Sequence, residues 1–205
     1  MSLRRITLLC GVFAPPLWAA SIAICGALRP GFSHVAQYIS ELGERGSSTE
    51  LFMRYGGFVP TGLMHVAFAA FLFATFRGRL AAGGAVLLGV NGLARIGAGF
   101  FSCEPGCAEA ASLAAQLHGL FASVGFAALL ASVLLWGLEF LRSDLRGLAV
   151  HSAACGAIGV AFLALMVWNP EPGGWRGAYE RVASGVLSLW IFVFALRAWK
   201  GAALR

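Results

Sequence analysis

The stretch LAAGGAVLLGVNGLARIGAGFF, residues 80–101, holds one charge, Arg95, and one amide, Asn91, in an otherwise apolar run. At about 1.5 Å per residue it is long enough to cross a hydrocarbon core of about 30 Å as a helix. Comparable runs lie at Ile6–Leu28, Gly57–Phe76, Leu113–Phe140, Leu148–Trp168 and Arg181–Trp199. None shows the polar face at period 3.6 or 2 that a soluble core element would need. The whole chain agrees, with 59% hydrophobic and 12% charged residues, against about 25% charged in a typical soluble domain. The expected fold class is all-α: a six-transmembrane-helix bundle, one integral membrane domain over residues 1–205.

Arg4 and Arg5 precede the first run, as in a signal peptide, but the run is too long for an h-region. Pro15 and Pro16 would kink it rather than end it, so it is expected to be a span. The fourth run is long enough to tilt or to project beyond the bilayer.

Charge placement sets an expected orientation. With a cytoplasmic N-terminus, the inner segments hold nine bases: Arg4, Arg5, Arg77, Arg79, Arg142, Arg146, Arg197, Lys200 and Arg205. The outer segments hold five, Arg29, Arg45, Arg54, Arg176 and Arg181, together with most of the acids, Glu109 among them. Arg95 lies inside a span. This bias places both termini in the cytoplasm and the longer loops outside, with the plasma (inner) membrane as the expected location. The net charge of +6 is scattered in short anchors, which exclude a nucleic-acid stripe and suit anionic lipid. Gly-x-Ser-x-Gly, Walker, His-Glu-x-x-His and dinucleotide patterns are absent from the sequence.

The cytoplasmic connections are short, at Arg77–Arg79 and about Leu141–Gly147, which makes sequential helices antiparallel neighbours. The outer ones are longer, at about Arg29–Gly56, Ser102–Ser112 and Asn169–Glu180. The small residues of the third span let helices approach closely and place that helix at the centre of the bundle. Phe32, Val35, Ile39 and Leu42 recur at helical spacing, so a short amphipathic helix ended by Gly43 is expected in the first outer loop.

Ionisable groups inside a membrane are costly, and each is a site hypothesis by default. Counted from the outer ends of their spans, His65 lies about 12 Å deep, Asn91 about 15 Å, Arg95 about 9 Å and His118 about 8 Å. Asn91 and Arg95, spaced i, i+4, share a helix face. Three helices thus bring polar groups to one layer. His34 reads as a solvated loop residue and His151 as structural. His65 and His118 are the one pair that could face each other across a haem, a weak signal. In Cys103-Glu104-Pro105-Gly106-Cys107 the Pro-Gly turn brings the cysteines together. A disulfide is the favoured reading on an oxidising face. Zinc held by Cys103, Cys107 and His118, with Glu104 nearby, competes with it, although the usual structural spacing has two such pairs. Cys10, Cys25 and Cys155 read as packing residues.

Tyr38-Ile39-Ser40-Glu41-Leu42-Gly43, then Gly99-Phe100-Phe101-Ser102-Cys103-Glu104-Pro105-Gly106-Cys107 followed by Leu117-His118-Gly119, and finally Glu180-Arg181 resemble the family catalogued as domain of unknown function 998. The resemblance covers nearly the whole chain in order. That family favours an aspartate where Glu104 stands and a proline where Ser102 stands. The resemblance implies a six-span bundle, no settled activity, and recurrent polar positions at Ser40, Glu41, Glu104, His118 and Arg181.

The candidate ligand-binding set is therefore Ser40, Glu41, His65, Asn91, Arg95, Glu104, His118 and Arg181. The preferred function is binding or moving a lipid-like or anionic small molecule in an outward-facing pocket. An intramembrane enzyme acting on a lipid or isoprenoid is the first alternative, with His118 and Glu104 or Glu41 as acid/base candidates and Ser40 as a weak nucleophile. An accessory subunit of a larger membrane complex is the second. No cofactor is assigned, and membrane lipid is the expected partner.

Overall fold

Each of the six apolar runs forms one helix in the computed structural model, which describes residues 2–107, 112–171 and 173–203. Glu109 and Arg205, counted in the charge pattern, lie outside the described residues. The helices are α1, Leu3–Leu28; α2, Glu50–Thr75; α3, Arg79–Phe100; α4, Leu113–Arg142; α5, Arg146–Trp168; and α6, Arg176–Ala203. All six are long and apolar enough to span a membrane. No strand occurs among the described residues.

Two helices begin earlier than hydropathy indicates, because paired charges prolong them. In α2, Arg54 Nη1 donates to Glu50 Oε1 at 2.5 Å, four residues back, and Arg54 Nε donates to Gly99 O at 2.8 Å. The guanidinium thereby satisfies the carbonyl end of α3. The same stretch, Met53–Phe58, widens into a π-helical turn. In α6, the first turn is held by Arg176 and Glu180, which bond to the 29–44 segment.

Each helix packs on its two neighbours in sequence, and α1 returns against α6, which closes a six-membered ring. The small-residue helix α3 is therefore one wall of the ring rather than its centre. Its glycines serve both flanks. A Cβ on Gly92 would meet Gly62 O of α2 at 2.7 Å, while Cβ atoms on Gly84 and Gly97 would meet Trp136 and Phe121 of α4 at 2.6 Å. Hydrocarbon gives helices little reason to associate, so close contact and hydrogen bonds hold the seams. Ser132 Oγ donates to Gly84 O at 2.7 Å between α4 and α3, and Trp190 Nε1 to Ser152 Oγ at 2.8 Å between α6 and α5.

At the short-loop end the ring axis is plugged by aromatics: Phe68, Phe76, Trp136, Phe140, Trp190 and Phe194, with Trp136 and Phe194 centroids 4.6 Å apart. At the long-loop end the axis holds polar groups instead.

The amphipathic helix expected at 32–42 does not form. Only a 3-10 turn, Ser40–Gly43, is helical. Ile39 and Leu42 are fully buried against Trp18, Cys25 and Met53, and the polar Glu41 between them is buried as well. At 39–42 apolar and polar side chains alike are buried, so this end of the segment has no solvated face to stabilise a surface helix, while Val35 points to the outside. It is docked onto α6 by backbone contacts instead, with Ala178 N–H donating to Val35 O at 2.9 Å and a Gly177 Cβ excluded by Gln37 O at 2.1 Å.

Candidate functional site

At the long-loop end, α1, α2, α3, α4 and α6 enclose a cavity of about 60 Å³, room for a few waters or one small polar group. Trp18, Ser40, Asn91, Arg95, His118, Glu180 and Ser184 line it, with Ile39, Phe58 and Phe121 among its apolar walls.

Arg95 comes from the wall of α3 that faces the ring axis. Its Cζ lies 4.1 Å from the centroid of the Trp18 ring, a cation–π contact that strengthens as water is excluded. Its recorded polar contact is long, Nη1 to Thr61 Oγ1 at 3.4 Å. Arg95 is in none of the ion pairs among the described residues.

His118 stands on α4, one turn and a half inside its Ser112 cap. Both contacts of its Nδ1 are carbonyl oxygens, Phe101 O at 2.8 Å and Ala98 O at 3.0 Å. Nδ1 must therefore carry the proton, and Nε2 keeps its lone pair. No carboxylate is bonded to this imidazole.

Asn91 ties three helices together. Its Nδ2 donates to Gly125 O of α4 at 2.9 Å, and its Oδ1 faces His65 Nδ1 of α2 at 2.8 Å. His65 sits behind Asn91 and is not part of the cavity lining. Asn91→Leu is expected to cost about 1–2 kcal/mol, since interhelical hydrogen bonds in membranes average about 0.6 kcal/mol and the change also strands the His65 donor. Chemical unfolding in detergent measures it. A cost no larger than that of an exposed Leu→Ala substitution would remove Asn91 from the framework.

The remaining candidates form a strap over the cavity. Glu41 is 2% exposed; its carboxylate accepts from Tyr38 N at 2.8 Å, Gln37 Nε2 at 2.8 Å and Arg176 Nη2 at 3.1 Å, and Arg29 donates to the Glu41 carbonyl. Arg176 also bonds Ala36 O and Pro170 O and lies over the Tyr38 ring. Glu44 accepts from Arg29 at 2.5 Å and from Gly106 N at 2.6 Å. Glu104 pairs with the half-exposed Arg45 at 3.5 Å and is not among the hydrogen-bond partners of His118. Arg181 bonds Gln37 O at 2.7 Å, Gly177 O at 2.9 Å and His34 Nδ1 at 3.1 Å. His34 is exposed, as expected of a loop residue, and also accepts from Arg181; partial burial first, then the adjacent guanidinium, hold its pKa below the ordinary value.

Cys103 and Cys107 are joined in a disulfide, so neither is a thiolate for zinc, and no cluster of three His, Cys, Asp or Glu is placed for a metal among the described residues. His118 lines the cavity and His65 does not, so the two histidines do not share the space that the haem reading would need.

The cavity thus brings together Ser40, Asn91, Arg95 and His118 from the sequence-based set and leaves Glu41, His65, Glu104 and Arg181 outside its lining. Trp18 and Ser184 were not singled out by sequence, and Glu180, quoted in the family-like motif, was not placed in the candidate set. Glu180 is one turn inside α6, where its Oε2 accepts from Ile39 N at 2.6 Å; the earlier start of that helix was the missing signal. Trp18 is silent in an apolar run.

Six membrane-length helices closed into a ring, with polar groups gathered at one end of its axis, define a multi-pass membrane protein. The chain belongs to the family described as "Protein of unknown function (DUF998)", whose model matches residues 12–197. No curated protein and no solved structure matches it.

Proposed function

We propose that this protein binds, and passes on, an anionic amphiphile, taking its acid group at Arg95 within the ring. One observation carries the reading: a guanidinium held on an aromatic face and facing a cavity, in no ion pair among the described residues although the Glu180 carboxylate lines the same space. Arg95 is partly buried, a placement that costs solvation unless the charge is paired, and a phosphate or carboxylate would complete it by charge-assisted hydrogen bonds. The hydroxyls of Ser40 and Ser184 line the same cavity and can donate to the acid group. The positive-inside bias puts this end of the ring on the extracytoplasmic side of the plasma (inner) membrane.

Lipid mass spectrometry on gently purified protein tests the proposal. Wild type is expected to carry an anionic amphiphile in near-stoichiometric amount, and Arg95→Ala to lose at least about nine-tenths of it, the effect of roughly 1.4 kcal/mol. Equal retention by the two proteins would contradict it.

A second reading is an intramembrane enzyme that uses the free Nε2 of His118 as a base. Binding is preferred because His118 has no carboxylate behind it to support an imidazolium.

A further inference from the structure

We infer that the seam between α1 and α6 is a lateral doorway, and that the groove on its membrane side holds the hydrocarbon chain of the amphiphile whose acid group goes to Arg95. The inference rests on the function proposed above and adds the ligand class: a chain-bearing lipid arriving from the bilayer, rather than a soluble anion arriving through the loops.

The groove has a volume of about 530 Å³, within the roughly 300–1,000 Å³ usual for small-molecule sites. Its walls are nearly all apolar, among them Pro15, Ala19, Ile22, Gly185, Leu189 and Phe192. At its loop end stand His34 and Arg181, and Arg181 Nη2 is buried without a partner. An anionic headgroup passing this rim would meet an unfilled donor.

Groove and cavity are continuous but for one partition. Trp18, Ile39 and Ser184 line both, and Trp18 Nε1 donates to Ser184 Oγ at 2.9 Å across the seam. The edge of the Trp18 ring therefore closes the doorway while its face carries Arg95. Swinging the indole aside opens the partition and frees the guanidinium together. Pro15 and Pro16 stand three and two residues before Trp18 inside α1; they remove backbone donors and let the helix bend at this level. On the loop side, among the described residues, the strap covers the cavity. Ile39, Glu41 and Leu42 are each at most 2% exposed under the strap.

Gly185→Phe tests the groove. Gly185 lines the groove and a Cβ there meets nothing within 4 Å, so a side chain can start into the groove without a backbone clash. Native mass spectrometry of the full chain would compare 1-palmitoyl lysophosphatidate with glycerol 3-phosphate, which has the same acid and no chain. Gly185→Phe is expected to weaken the palmitoyl probe about tenfold and to leave the chainless one unchanged. Wild-type binding of the palmitoyl probe by Gly185→Phe, with loss in Arg95→Ala, would overturn the groove and spare the Arg95 reading. Loss in Gly185→Phe with wild-type binding in Arg95→Ala would keep the groove and overturn Arg95 as the acid's contact. Unchanged binding in both variants would overturn both and leave only bulk lipid.

Discussion

Glu41→Ala is expected to destabilise the protein by about 3–5 kcal/mol, the usual cost of removing one partner from a buried ion pair. The loss has two parts. Arg176, 6% exposed, would keep its charge with no carboxylate against it. The Tyr38 N–H and the Gln37 amide would also lose their acceptor. Because net stabilities run to about 5–15 kcal/mol, the strap over the cavity should detach well before the ring unfolds. Unfolding midpoints in detergent, with the double variant Glu41→Ala/Arg176→Met, separate the parts. The double variant should lose less than the sum of the two single ones. Additive losses would mean that the pair is not coupled.

Gly92→Ala should be as damaging for a different reason. Gly62 and Gly92 face each other across α2 and α3, and a Cβ on either one meets the other's carbonyl oxygen at 2.7 Å. Backbone cannot step aside as a side chain can, so one methyl forces the helices apart and stretches the His65–Asn91 bond one turn away. A cost of about 3 kcal/mol is expected, the upper end for overpacking. Gly119→Ala is the control. It sits beside His118 in the family-like motif, has nothing within 4 Å of a Cβ, and should gain up to about 1 kcal/mol in helix propensity. Expression level and unfolding midpoint check both. Tolerance of Gly92→Ala would remove the close approach from the account.

The six helices were legible because hydrocarbon thickness sets a length that few soluble elements imitate. Of the four groups counted to one level by depth along their helices, Asn91, Arg95 and His118 line one cavity and His65 stands outside it; that any of them contacts a ligand is the proposal above. Closure of the ring was not legible, because the α1–α6 contact joins the two ends of the chain through small and aromatic residues with no pairing signal. The 32–42 segment was misread as a surface helix because turns tucked under a bundle mouth also repeat apolar residues every three or four positions. Glu50 and Arg176 hid the true starts of α2 and α6, since hydropathy scores a charge as loop whether or not it is paired. Glu180 was missed for the same reason.

The central claim is that Arg95 awaits an acid group. Its most direct test is equilibrium binding of 1-palmitoyl lysophosphatidate and uncharged monopalmitoylglycerol to wild type and Arg95→Ala. Charge-assisted hydrogen bonds are worth about 1.5–3 kcal/mol, so wild type should prefer the charged lipid by roughly 10- to 100-fold, and Arg95→Ala should bind the two alike. A preference that is absent from the wild type, or that survives the loss of Arg95, would contradict the account.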